Sequence, residues 1–216
     1  MSNSTVCLLN GSLRGDKASS SRFLGKLGHQ LSKRGVSTAR IAVQPGAARV
    51  YSSETLAILQ QASAIVLACP LYGYSLPGGL MRLLEAWARY ARQHPVTPPP
   101  RLYAIINCGF VVPQTIGEAV AVVRHFATRA GLEYRFALAI ACGPVAVMTA
   151  PVDRRLAQAY RQLVADIERP TGTAPPDVYI KPIVPRIVMD TIREYLDMRV
   201  QRDIKRKAEH TAPSHH

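Results

Sequence analysis

The segment Ala64-Ile-Val-Leu-Ala-Cys69 is apolar at every position. A strand with one face in water alternates apolar and polar residues. An unbroken apolar run this short is what a strand needs when both of its faces are covered, as in a parallel sheet flanked by helices. Four further short runs fit the same sheet: Val6 to Asn10, the weaker Thr38 to Val43, Leu102 to Asn107, and Tyr134 to Ala141. Helical periodicity fills the intervals. Phe23, Leu24, Leu27 and Leu31 share a face between about Ser20 and Arg34, and Gly35 is a stop signal. Ser53 is a candidate cap for a helix carrying Leu56, Leu59 and Ala62. Leu80, Leu83, Leu84, Trp87 and Ala91 mark a helix from Gly78 to Arg92, Val120, Val123, Phe126 and Ala127 one from Glu118 to Ala130, and a last one runs from Asp153 to Glu168. Five strands with helices between them predict an α/β fold, a doubly wound parallel sheet with helices on both faces.

A length of 216 residues suits one domain and an appendage. The domain is expected over residues 1–169. Pro170-Thr-Gly-Thr-Ala-Pro-Pro176 reads as a linker, with Val178-Tyr-Ile180 and Ile183-Val184 as short extended pieces. Ile187 to Lys207 reads as a terminal amphipathic helix with Val188, Ile192, Leu196 and Val200 at helical spacing, followed by a disordered tail. A helix of this length is marginal alone in water, so its stripe is expected to dock, most simply in a homodimer. The uncharged stretch Phe136–Val152 is interrupted by Gly143-Pro144 and Pro151 and reads as a buried strand and the loop after it. No stable membrane insertion is expected. The opening Met1-Ser-Asn-Ser-Thr has neither the basic region nor the apolar run of a secretory signal, which makes a cytoplasmic location the expectation.

Cys7, Cys69, Cys108 and Cys142 are far apart, with no Cys-x-x-Cys pair, so neither a zinc site nor a cysteine-ligated cluster is predicted. Each follows an apolar run, where free cysteine behaves as a small hydrophobe. His29, His94 and His125 have no acidic or cysteine partner at ligand spacing and read as solvent-facing, and Glu85 reads as a helix-surface charge. The formal net charge is +13, and residues 1–149 hold 15 of the 27 Lys+Arg but only 5 of the 14 Asp+Glu. That bias suits an anionic small partner such as a phosphorylated cofactor. No nucleic-acid-binding motif accompanies it, and no nucleic-acid partner is expected.

Open parallel sheets bind ligands beyond the carboxyl ends of their strands. Three such loops stand out. After the first strand, Asn10-Gly-Ser-Leu-Arg-Gly-Asp-Lys-Ala-Ser-Ser-Ser21 leads into a helix. Hydroxyls, a guanidinium and backbone N–H groups at a helix start suit a phosphate. The loop has neither the nucleotide-triphosphate P-loop pattern nor Gly-x-Gly-x-x-Gly. Cys7 and Arg14 are one residue too far apart for the anion loop of a small thiolate phosphatase, and Cys7 lies within the strand pattern. After the third strand, Pro70-Leu-Tyr-Gly-Tyr-Ser-Leu-Pro-Gly-Gly79 offers stacking faces and glycines that allow close approach to a planar ring. Asn107-Cys-Gly-Phe110 is a third loop on the same edge.

Together these loops resemble those of the NADPH-dependent FMN reductase family of the flavodoxin-like superfamily. Gly11, Ser12, Arg14 and Ser19 to Ser21 match its Gly-Ser-x-Arg loop and following hydroxyl cluster. Pro70, Tyr72, Pro77 and Gly78 match its Pro-x-Tyr-x-x-x-x-Pro-Gly loop, and the resemblance spans about residues 5–145. It implies a five-stranded flavodoxin-like sheet in the order 2-1-3-4-5 with a C-terminal helical extension. It also implies FMN as cofactor, its phosphate held by Ser12, Arg14, Ser19, Ser20 and Ser21. Pro70, Leu71, Tyr72, Gly73 and Tyr74 would border the ring on one side, and Asn107, Cys108, Gly109 and Phe110 on another. The implied activity is hydride transfer from NADPH or NADH to FMN, then electron transfer to a small acceptor such as a quinone or flavin. The flavin carries that chemistry, so no catalytic side chain is predicted. The clustered cysteines of iron–sulfur flavoproteins are absent. Two other readings are a non-enzymatic FMN electron carrier, which the net charge opposes because flavodoxins are acidic, and a cofactor-free binding module on the same fold.

Overall fold

The two-residue period of each strand sorts its side chains into two layers. In the computed structural model, which describes residues 5–43, 51–149 and 153–182 with Asp190 and Met198, strand β3 (Ala64–Pro70) shows this plainly. Ala64, Val66 and Ala68 pack against helices α1 (Ser19–Ser32) and α6 (Arg154–Glu168). Ile65, Leu67 and Cys69 pack against α2 (Ser53–Gln61), α3 (Gly78–Gln93) and α4 (Gly117–Ala130). Neighbouring strand β1 (Val6–Asn10) divides the same way, with Val6 and Leu8 on the first side and Cys7 and Leu9 on the second. All six residues from Ala64 to Cys69 are completely buried, as an unbroken apolar run requires.

The remaining strands are β2 (Thr38–Ala42), β4 (Arg101–Asn107), β5 (Glu133–Ile140) and β6 (Val178–Ile180). The sheet is parallel throughout, in the order β2-β1-β3-β4-β5-β6. The expected order 2-1-3-4-5 is present, but the sheet has six strands where the sequence predicts five. Val178-Tyr-Ile180, read only as an extended piece, pairs with Leu138, Ala139 and Ile140. Asp177 fastens it. Its Oδ1 accepts hydrogen bonds from the Tyr134 hydroxyl (2.6 Å) and the Ala137 N–H (2.7 Å), and its Oδ2 pairs with Arg124. Without β6, the edge of β5 would present open backbone groups.

A second difference follows β5. The stretch read as a loop after Ile140 contains a short helix, α5 (Gly143–Thr149). Pro144 lies in its first turn, where a missing N–H leaves no helical bond unmade. Ser52, one residue before the predicted cap, accepts from the Thr55 N–H at 3.2 Å and starts α2. Asp153 caps α6 through the Arg155 and Leu156 N–H groups. Residues Met1–Pro182 form one compact unit and Ile183–His216 a second. Ile183-Val184, the terminal stripe of Val188, Ile192, Leu196 and Val200, and the tail lie outside the described residues; Asp190 and Met198 are helical.

At the amino end of β5 a buried charge cluster ties sheet to helix. The Arg135 guanidinium donates from Nε (2.9 Å) and Nη2 (2.8 Å) to the two oxygens of Asp166, from Nη1 to Glu133 (2.7 Å), and from Nη2 to the Thr171 carbonyl (2.8 Å). Tyr103 donates its hydroxyl to Asp166 at 2.8 Å. Burial acts to raise the Asp166 pKa, but the hydrogen bonds from Arg135 and Tyr103 and the Arg135 charge outweigh it and hold the carboxyl below its usual value. Asp166→Ala, which takes the two-oxygen partner from a buried guanidinium, should lower unfolding free energy by about 3 kcal/mol. The depressed pKa fixes the sign of the pH dependence. The stabilisation is full above the unfolded-state pKa of about 3.9 and disappears as pH falls through the folded value. Denaturant melts should therefore show the advantage of the parent over Asp166→Asn shrinking from about pH 5 to about pH 2.

Candidate functional site

Beyond the carboxyl ends of β1, β3 and β4 lies a cavity of about 140 Å³, lined by Ser12, Arg14, Ala18, Ser19, Ser20, Pro70, Leu71, Tyr72, Asn107, Cys108, Gly109 and Pro144. Ten of these twelve are residues the sequence singles out; Ala18 and Pro144 are new. Of the other predicted residues, Ser21 turns its hydroxyl to Asp16 (3.2 Å), while Gly73, Tyr74 and Phe110 are exposed and do not line the cavity.

The first loop is shaped by Asn10, the last residue of β1, which sequence reasoning passed over. Its Oδ1 accepts from the Ser12 N–H and its Nδ2 donates to the Gly15 carbonyl, both at 3.1 Å. Such side-chain turns are how asparagine bends a chain leaving a strand. Ser12, fully buried, accepts from the Arg14 N–H through Oγ at 3.3 Å. A single 3₁₀ turn, Gly15–Lys17, then delivers the chain to α1. The N-cap of α1 is Ala18, which has no side-chain acceptor, and no acidic residue lies in the first turn. The leading N–H groups of a 14-residue helix thus meet the cavity without a capping oxygen, with the positive end of the dipole behind them. Arg14 adds a positive charge at the rim. This corner suits a phosphate or another compact anion.

The second loop is a tight reversal. Tyr72 and Ser75 exchange backbone hydrogen bonds (2.9 and 3.0 Å), and the two residues between them, Gly73 and Tyr74, both have positive φ (53° and 63°). Glycine adopts that conformation freely; tyrosine does so under strain, and its side chain is exposed. The Tyr74 ring stacks on Phe110 of the third loop, centroids 5.1 Å apart and planes 16° from parallel. Two loops that the sequence places on one edge are in direct contact there.

Asn107 joins the three loops. Its Nδ2 donates to Ser20 Oγ at 2.9 Å and to the Cys69 carbonyl at 3.0 Å, and it is 4 % exposed. The Ser20 hydroxyl therefore accepts a structural hydrogen bond from Asn107, and Ser20 lines the cavity. Gly143 closes over the same amide: a Cβ there would lie 2.6 Å from Asn107 Oδ1. The cysteines divide. Burial pushes the thiols of Cys7 and Cys69 up to about 12, leaving them protonated packing groups. Cys108 and Cys142 stand together at the third loop. His29, His94 and His125 are exposed and far along the sequence from every lining residue except those of their own segments. Among the described residues no group of three or more metal-ligating side chains occurs, and no helix is long and apolar enough to cross a membrane.

No protein-family model matches the chain, and no curated protein matches it in sequence. Solved structures do match in shape. An NADPH-quinone reductase from P. pentosaceus aligns with TM-score 0.53 and 16 % identity over 79 % of this chain and 99 % of that one. General stress protein 14 from Treponema denticola, solved in complex with FMN, aligns with TM-score 0.55 and 10 % identity over 76 % and 99 %. An NADH:FMN oxidoreductase in its apo form aligns with TM-score 0.56 and 12 % identity over 80 % and 92 %. What is shared is the flavodoxin-like fold. The strand order β2-β1-β3-β4-β5 is the one whose switch point lies between β1 and β3, where the cavity opens.

Asn107→Ala would leave the Cys69 carbonyl and the Ser20 hydroxyl without their buried donor. Each unsatisfied buried group costs about 1–3 kcal/mol. A fall in melting temperature is expected in Asn107→Ala and a smaller one in Ser20→Ala, which removes the hydroxyl but leaves the bond to Cys69 intact.

Proposed function

We propose that the protein binds FMN at this edge and is an NAD(P)H-dependent oxidoreductase that passes electrons from NADPH or NADH to a small acceptor of the quinone or flavin type. The observation that carries the reading is one cavity combining an uncapped helix N-terminus beside Arg14 with aromatic loops from β3 and β4. In it, Ser12, Arg14, Ser19 and the first N–H groups of α1 hold the phosphate. Pro70, Leu71 and Tyr72 border one side of the flavin and Asn107, Cys108 and Gly109 the other. Tyr74 and Phe110 leave no space between them for a third ring, so they serve as an outer wall. Bound FMN supplies the two-electron chemistry. The chain's own part is to neutralise the phosphate, present backbone groups to the ring and keep one face accessible to a nicotinamide. The names of the shape relatives, among them an NADPH-quinone reductase, a flavone reductase and an NADH:FMN oxidoreductase, support the reductase reading.

The same reading places the protein in the cytoplasm as a homodimer, with residues 1–169 and the added strand β6 as the flavin-binding unit and the terminal stripe as the docking element. The net charge of +13 supports an enzyme over an acidic flavodoxin-like carrier.

Purified protein supplied with FMN should retain flavin absorbance after desalting and should oxidise NADPH or NADH when a quinone is added. Colourless protein would overturn the cofactor assignment; a yellow protein without turnover would leave the carrier. A charge-assisted hydrogen bond contributes about 1.5–3 kcal/mol, so Arg14→Ala should weaken FMN binding by roughly tenfold or more. Ser21→Ala, whose hydroxyl is engaged by Asp16, should change it much less. Tyr74→Ala should alter the spectrum or reduction rate of the bound flavin.

A further inference from the structure

Cys108 and Cys142, distant in sequence, are brought side by side by an irregularity in the sheet. The Cys108 N–H bonds to the Ile140 carbonyl (3.1 Å), but the Cys108 carbonyl accepts from Gly143 rather than from Cys142 (2.7 Å). Cys142 is therefore an extra residue in the ladder, a bulge, and it takes the left-handed conformation at φ 47°. Its own N–H turns to the Phe110 carbonyl at 2.8 Å. Both thiols donate to that same carbonyl oxygen, each at 3.6 Å. With each sulfur 3.6 Å from one oxygen, the two sulfurs are no more than about 7 Å apart. Neither thiol is otherwise bonded in the described structure beyond a 3.9 Å contact of Cys108 with Thr115 Oγ1.

We propose that Cys108 and Cys142 are a redox-active dithiol, an oxidation site that a small hydroperoxide converts to an intramolecular disulfide. The inference stands apart from the flavin reading, since it needs only the chain. Both cysteines are buried, and Cys108 is the one among the residues lining the cavity, the side from which a small peroxide approaches. Its thiolate attacks one peroxide oxygen, the O–O bond breaks, and hydroxide leaves and takes up the proton that the thiol gave, forming water and a sulfenic acid on Cys108. The Cys142 sulfur then displaces the sulfenic oxygen, forming the S–S bond and a second water as its own proton is lost. Two thiols and one hydrogen peroxide become one disulfide and two waters, and the two electrons end on oxygen. Burial and the neighbouring Cys108 charge raise the Cys142 pKa while Lys181 opposes them, which fits a resolving rather than an attacking sulfur.

Trypsin separates the four cysteines onto four peptides, because Arg14, Arg82, Arg124, Arg135 and Arg154 fall between or beyond them. The full chain, treated with hydrogen peroxide and digested without reductant, should give the Cys108 peptide linked to the Cys142 peptide and released by dithiothreitol. Cys7 and Cys69 should react at least about tenfold more slowly. Cys142→Gly, which suits the positive φ and preserves the fold, should abolish the link and leave a Cys108 sulfenic acid that dimedone traps. Cys108→Ser should leave Cys142 unreacted under the same exposure. The proposal is overturned if the treated parent shows no Cys108–Cys142 link, whether both thiols survive, each over-oxidises separately, or the link joins other cysteines. It is equally overturned if the flavin-free and flavin-loaded chains both fail to form the link while FMN binding is normal.

Discussion

One side-chain amide organises the carboxyl edge of this sheet. Asn107 ends β4, yet its Nδ2 reaches back to the Cys69 carbonyl at the end of β3 and across to Ser20 at the start of α1. Neutral buried hydrogen bonds are modest individually, but leaving their partners unmade is costly. The amide thus adds to two backbone bonds, Gly11 N–H to the Ala68 carbonyl (2.8 Å) and Leu71 N–H to the Asn107 carbonyl (2.7 Å), in fixing the relative positions of the three loops. Gly143 packs against the opposite side of the same group, so the start of α5 is held to the register set by Asn107. Asn107 is buried at the cavity, while Tyr72, Tyr74 and Phe110, all more than two-fifths exposed, project into solvent.

The two ends of the sheet serve different physics. At the amino end, the chain buries a guanidinium and a carboxylate and satisfies both, using Arg135, Asp166, Tyr103 and Glu133, with the Thr171 carbonyl closing the set. That cluster joins β5 to α6 and to the segment leading to β6. At the carboxyl end the arrangement is the reverse. Helix α1 begins without a capping side chain and Arg14 stands at the rim. Donors are satisfied at the amino end and meet no capping side chain at the cavity.

The bulge at Cys142 links these themes. An extra residue in a parallel ladder redirects the chain, and here it turns β5 into α5 while sending an N–H to the Phe110 carbonyl. The third loop therefore depends on β5 as well as β4, and the Phe110 ring in turn rests on Tyr74. Both thiols donate to the Phe110 carbonyl of that loop.

The period of the apolar runs determined the layered α/β architecture and the position of five strands, because covering a strand on both faces demands apolar residues throughout, as in Ala64–Cys69. Glycine, serine and asparagine after three of those strands marked the edge where a site belongs. The sixth strand was legible only as an extended piece: three residues of Val-Tyr-Ile have no period, and pairing with Leu138, Ala139 and Ile140, fastened by Asp177, makes them a strand. Helix α5 was hidden by a Gly-Pro pair that reads as a breaker but sits where a first turn tolerates it. The sequence named Ser20 for the phosphate corner, and tertiary structure adds a hydrogen bond that its hydroxyl accepts from Asn107. It likewise set Cys108 and Cys142 apart by 34 positions, and only the pairing of β4 with β5 and one bulge put them together. Local pattern decides which face of an element is buried; hydrogen bonds between residues remote in sequence decide which side chains meet.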